Sequence, residues 1–210
     1  IDGDYVWACF SNIIAKIRIS DFVIVDMIED KHFNDLHEIT LHKNRLYVAN
    51  TGYESVDIID LETKIVERVD LLGESLRKNR PEYQQNQDSK PHLHHISSIT
   101  IDDEENIVLG MVRQQRILNL TKWEWIGSKY SSPVHDVEFI DGKIWFTTVG
   151  GLISNSEKTW NLADYQSEIG WTRGLAVTDE GIYVGTTAIR ESNHDYYKII
   201  TDSNTERTGA

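Results

Sequence analysis

The chain has one cysteine, three prolines and few basic residues. Cys9, being alone, excludes an internal disulfide framework and any multi-cysteine metal site. Lys and Arg number 21 against 34 Asp and Glu, a net charge of −13 with histidine neutral. No local basic patch offsets that charge, so phosphate backbones and anionic lipid surfaces are repelled. Neither nucleic acid nor a membrane is an expected partner. Apolar runs are short. Phe22-Val23-Ile24-Val25 is typical, far below the roughly 20 residues of a membrane-spanning helix. Helix signals are lacking as well: no window of about 11–18 residues carries an apolar stripe of period 3.6. With no signal-peptide pattern after Ile1 and one unpaired thiol, the cytoplasm is the expected compartment. A start at Ile1 also suits a processed or truncated piece.

What remains is 40% apolar and 26% charged, the balance of a soluble globular chain. Its 210 residues suffice for one sizeable domain. Five segments repeat one pattern: Tyr5-Val-Trp-Ala-Cys-Phe, Leu46-Tyr-Val-Ala-Asn-Thr, Ile107-Val-Leu-Gly-Met-Val, Ile144-Trp-Phe-Thr-Thr-Val and Ile182-Tyr-Val-Gly-Thr-Thr. Three bulky apolar residues open each copy, and the fourth position is small: Ala8, Ala49, Gly110, Thr147, Gly185. Such richness in β-branched and aromatic residues reads as a strand buried on both faces. The small residue points to close approach of a neighbouring sheet.

The copies start at steps of 41, 61, 37 and 38 residues, and three of the four match the length of a four-stranded propeller blade. The long step contains residues 73–92, a polar stretch that reads as an inserted surface loop. Upstream of four copies lie further strands, beginning at Leu36, His95, Val134 and Thr172. Each runs into a turn signal, such as His42-Lys-Asn or Asp141-Gly. Third and fourth strands follow, for example Val56-Asp-Ile-Ile-Asp-Leu and Phe22-Val-Ile-Val-Asp-Met-Ile. The expected fold is all-β, a single propeller domain over residues 1–210 with about five blades present. It is either a five-bladed ring or part of a six- or seven-bladed one. A sandwich is the alternative, though it has no need of a small residue every 40 positions or so.

The blade openings His94-His95-Ile-Ser-Ser-Ile, Pro133-Val-His135-Asp136-Val and Thr172-Arg173-Gly174-Leu-Ala-Val-Thr resemble those of bacterial six-bladed propellers of the broad NHL and gluconolactonase-like type. The resemblance implies the fold over nearly the whole chain. The gluconolactonase-like enzymes hold a divalent cation with a glutamate, asparagines and an aspartate. That full set is not placed in this sequence, so their activity is not carried over.

First strands line the channel of a propeller, so His37, His95, His135 and Arg173 are the expected ligand-binding residues, converging on a central funnel. His37 and His135 share a register, whereas His95 sits about two residues nearer the mouth, where Ser97 fits the register better. Imidazoles and a guanidinium together suit a carboxylate, phosphate or sulfate group, or hold a metal through the histidines. The structural alternative is that these residues hydrogen-bond to the next blade's main chain and stitch the ring. Glu38 and Asp136 follow His37 and His135, and strand alternation points them away from their own histidines into a blade interface or rim. The 73–92 insertion is read as a mobile loop, a lid over the funnel or a partner-binding contact. Asp102-Asp-Glu-Glu reads as a solvated hairpin tip in preference to a calcium site. Trp123 and Trp125 read as core packing in preference to a sugar platform.

The functional expectation is a binding module for a small anionic or polar molecule, or for a protein, with no cofactor. The alternative is a metal-dependent hydrolase or lyase in the same funnel, which would bring a divalent cation.

Overall fold

The computed structural model describes residues 2–73, 92–166 and 169–188. Five antiparallel sheets follow one another along the chain. The first holds β1 (Tyr5–Cys9), β2 (Ile13–Arg18) and β3 (Ile24–Glu29). The second holds β4 (Leu36–His42), β5 (Arg45–Asn50), β6 (Ser55–Asp60) and β7 (Val66–Asp70). The third is built of β8 (Ile96–Ile101), β9 (Ile107–Met111), β10 (Arg116–Asn119) and β11 (Glu124–Ile126). The fourth comprises β12 (Val134–Ile140), β13 (Lys143–Thr148), β14 (Leu152–Ser154) and β15 (Thr159–Asn161), and the fifth β16 (Trp171–Thr178) with β17 (Gly181–Thr187). In every sheet the strands lie in chain order, each paired with the next. The chain divides into two compact units between Ile99 and Thr100, inside β8. Among the described residues no helix is long and apolar enough to cross a membrane.

All five repeated segments are strands: β1, β5, β9, β13 and β17. The last four stand second in their sheets, while β1 stands first in its own. The turns follow from local chemistry. Lys43 and Asn44 both take positive φ (44° and 60°), as do Asp141 and Gly142 (51° and 74°). Two left-handed residues in succession make the tight turn whose twist matches that of the strands it joins. Asp102 closes the tip before β9 by accepting from the main-chain N–H of Glu104 (2.9 Å) and Asn106 (2.8 Å). The acidic run is therefore a self-capped loop, with Asp103, Glu104 and Glu105 exposed.

Each unit has its own apolar core. In the first, Trp7, Ile14 and Ile28 of the first sheet pack with Leu36, Leu46, Val48 and Ile59 of the second, around the fully buried Phe33. In the second unit Val108, Ile117, Val134, Val137 and Phe146 form the centre. Burying side chains of this size contributes about 1.5–3 kcal/mol each.

Two expectations need correction. Trp123 and Trp125 are not core residues: they are 61% and 43% exposed. The reason is position. β11 is a three-residue outermost strand, and Trp123 precedes it in a left-handed turn at φ 54°. The Arg116 guanidinium covers Trp125 at 5.4 Å. At Gly185 the small fourth position answers to a neighbour in its own sheet, not to another sheet. A Cβ on Gly185 would lie 2.5 Å from the Arg173 carbonyl oxygen of the paired strand. The 73–92 insertion lies outside the described residues except for its ends. The sequence also reads as a third strand of the last blade at Tyr196-Tyr-Lys-Ile-Ile, a stretch wholly outside the described residues.

Candidate functional site

The first strands of three sheets share a β-bulge. In β4, Leu36 pairs with Asn50 and Glu38 with Ala49, leaving His37 as the extra residue. In β12, Val134 pairs with Thr148 and Val137 with Phe146, so His135 and Asp136 together oppose Thr147. In β16, Arg173 pairs with Gly185 and Leu175 with Val184, and the extra residue is Gly174 at φ 73°. Each bulge lies against the small position of the repeat, held by Ala49, Thr147 and Gly185. Bulges bend a strand and redirect its side chains, and three of the four expected site residues sit in or beside one.

The first unit brings His37 and His95 together, with ring centroids 4.9 Å apart and planes nearly perpendicular. A third imidazole joins them. His92 is buried, its ring 5.0 Å from that of His95, with the two Nδ1 atoms 3.0 Å apart. One ring must donate and the other accept, so this contact requires at least one neutral imidazole. His37 donates from Nδ1 to the Asp35 carbonyl (2.8 Å), and the Asp35 carboxylate lies 3.7 Å from His92 Nε2. Asp35 and His95 each precede a first strand, and both are left-handed, at φ 49° and 52°. They occupy equivalent positions, which accounts for the two-residue offset between His95 and His37.

Glu54 holds this cluster and was not foreseen. It is fully buried, left-handed at φ 60°, and its carboxylate accepts from the main-chain N–H groups of Leu93 and His94. A buried carboxylate with two such donors fixes the segment that carries His92 and His95. In the sequence it stands in an unremarkable turn, Gly-Tyr-Glu-Ser, and its partners lie about 40 residues away. Nearby, buried Asp57 takes a two-pronged pair of bonds from Arg68 (2.7 and 2.8 Å), which also reaches Asp30 at 3.1 Å. Burial opposes the Arg68 charge, and the Asp57 and Asp30 carboxylates more than offset it. Among the described residues no group of three or more His, Cys, Asp or Glu has the arrangement to hold a metal ion.

In the second unit His135 is buried with Nδ1 3.2 Å from Asp136 Oδ1. Asp136 also accepts from Thr147 Oγ1 (2.7 Å) and from the Gly174 N–H. Burial pushes its carboxyl up, but the bonds from His135, Thr147 and Gly174 prevail and hold it below the usual range. Strand alternation therefore fails at Asp136, because the bulge sets two consecutive residues against one. Glu38 does turn away from its histidine, accepting from the Ile99 N–H at 2.9 Å. Arg173 is exposed, its guanidinium 5.6 Å from the Trp171 ring. On β12, Glu138 is raised to about 7, by burial first and by the Asp136 charge second.

Two outcomes follow. Glu54→Gln keeps the size of the side chain but turns one acceptor into a donor facing a main-chain N–H. His92 and His95 imidazole resonances should move while the circular dichroism spectrum stays the same, and unchanged resonances would remove Glu54 from its assigned role. Glu138 is protonated more readily folded than unfolded, so its ionisation destabilises the fold above pH 7, and the effect fades as pH falls towards the unfolded value near 4.5. Glu138→Gln should therefore stabilise the chain by roughly 1–3 kcal/mol in mildly alkaline buffer and little in acid, read by urea denaturation at both.

No protein-family model matches the sequence, and no curated protein matches it. Solved structures do. Virginiamycin B lyase from Staphylococcus aureus superposes with a TM-score of 0.58 at 15% identity, over 87% of this chain and 59% of that one. A streptogramin B lyase superposes with a TM-score of 0.60 at 12% identity, over 88% of this chain and 59% of that one. The chain thus spans about three fifths of the length of these lyases. Together with the five successive antiparallel sheets, these likenesses give the conclusion that the chain has a β-propeller fold.

Proposed function

We propose that the chain is a binding module on a propeller scaffold, of the NHL and gluconolactonase-like group that its blade openings resemble. Its ligand is a small anionic or polar molecule, held by His37, His92 and His95 in the first unit. In the second unit, taken by itself, His135 and Arg173 are the candidate ligand residues. The observation that carries this reading is the support behind the imidazoles. Two left-handed residues, Asp35 and His95, and a fully buried Glu54 fix their placement. Non-glycine residues in this conformation cost on the order of 1 kcal/mol each, and such strain gathers at ligand sites. A protonated imidazole donates charge-assisted bonds to a carboxylate, phosphate or sulfate oxygen. Binding of an anion then strengthens as pH falls through the imidazole range.

A metal-dependent hydrolase or lyase is the second reading. What favours it is the carboxyl pair on β12, where Asp136 is held low and Glu138 is raised to about 7. Carboxyls split in this way divide acid and base roles. The two lyases named above have the same fold, and their activity is theirs.

The test is titration with inorganic phosphate and with citrate, followed by imidazole NMR and thermal shift. Saturable movement of the His37, His92 and His95 signals is expected, stronger in mildly acidic than in mildly alkaline buffer. His37→Ala with His95→Ala should weaken binding about tenfold or more, ~1.4 kcal/mol, with the fold retained. No response to either probe, with stabilisation by Mg²⁺ or Zn²⁺ that a chelator reverses, would replace this reading by the enzymatic one.

A further inference from the structure

One end of the third sheet reverses the charge of the chain, and the binding reading does not use it. From Asn106 to His135 there are four basic residues, Arg113, Arg116, Lys122 and Lys129, against one acid, Glu124, in a chain that carries −13 overall. The absence of a local basic patch expected from the sequence does not hold here. Topology gathers three of the four cations. Arg113 lies in the turn from β9 to β10, Arg116 opens β10, and Lys129 follows β11. Ile117 pairs with Ile126, and the Tyr130 N–H donates to the Gln115 carbonyl at 2.9 Å, so turn, strand start and following segment stand side by side. Arg113 and Lys129 are exposed and Arg116 is half-buried. Lys122, at the opposite end of β11, is paired with Glu104 at 2.8 Å. Among the described residues no carboxylate pairs with the other three. The Arg116 guanidinium lies over the Trp125 ring at 5.4 Å, and that indole is 43% exposed. Stacking on the ring holds the guanidinium flat, with its edge N–H groups directed at any planar acceptor beside it.

We propose that Arg113, Arg116, Lys129 and Trp125 form a docking surface for an acidic peptide segment of a partner protein. Carboxylates answer the three cations, and one of them takes a two-pronged bond from Arg116. Arginine and tryptophan together are the residues that dominate binding at protein interfaces. The cations stand on three separate segments, two of them fully in solvent. That spacing suits an extended chain with spaced carboxylates better than a compact anion, which needs an enclosing cleft. A nucleic acid is disfavoured, because each further phosphate adds to its repulsion from the −13 of the chain. A short acidic segment places its few charges within a Debye length of the patch, and the remaining charge is screened.

Titration of the full chain with a short poly-glutamate peptide, followed through the indole and guanidinium N–H resonances, tests this. The Trp125 and Arg116 signals should move saturably, and poly-glutamine of the same length should leave them in place. Added NaCl should weaken the response. Arg113→Gln combined with Lys129→Gln should weaken binding about tenfold or more, as the loss of charge-assisted bonds requires, while circular dichroism stays unchanged. Arg116→Lys, which keeps the charge but not the planar fork, should weaken it severalfold and decides the matter if the double variant does not fold. No movement with poly-glutamate, an equal response to poly-glutamine, tighter binding of poly-uridine RNA or of an oligogalacturonate, or binding indifferent to these variants would overturn the proposal.

Discussion

The bulged first strand is the constraint from which the rest of the structure follows. At the bulge an acidic side chain leaves its own sheet and accepts a hydrogen bond from the main chain of the next first strand. Glu38 of β4 takes the Ile99 N–H of β8, and Asp136 of β12 takes the Gly174 N–H of β16. Charge-assisted bonds of this kind contribute roughly 1.5–3 kcal/mol each. β8 lacks an acid at the matching place. Ser98 stands there, too short to cross, with its hydroxyl buried and unpartnered. Thr100 crosses instead, accepting from the Phe139 N–H at 3.2 Å. In β5, β13 and β17 the small residue is the complement of this arrangement, and a Cβ on Gly185 would meet the Arg173 carbonyl oxygen at 2.5 Å.

The same geometry explains why the histidines are where they are. A bulge spends one residue outside the ladder, and in β4 that residue is His37. Its ring turns to the Asp35 carbonyl and to His95, not into the pleat. In β12 the doubled position keeps His135 beside Asp136 and makes the pair a buried ion-pair candidate, while Asp136 still reaches Gly174. Stitching and the binding proposed above therefore call on different side chains. The acids stitch, and the strained residues before β4 and β8 gather the imidazoles.

Much of the fold was legible because it rests on local chemistry repeated along the chain. The apolar triplet and small fourth residue marked β1, β5, β9, β13 and β17, and Asp141-Gly142 marked its own tight turn. The site was legible in part. The offset of His95 from His37 could be read, and it reflects the left-handed residue before each first strand. Glu54 could not be read, since burial and partners about 40 residues distant leave no local mark, and His92 stands at the end of the polar stretch read as an inserted loop. Trp125 misled because an aromatic side chain on a strand face looks alike whether that face is covered or, as on the outermost β11, open, and Trp123 because it lies in the left-handed turn before that strand. Alternation misled at Asp136 because a bulge breaks the period of two that the argument assumed.

Site-resolved amide hydrogen exchange tests the stitching claim most directly. In Glu38→Ala the Ile99 amide should lose protection while the Gly174 amide keeps it, and in Asp136→Ala the reverse should hold. Protection unchanged at both amides, or lost evenly along the chain in either variant, would contradict the account.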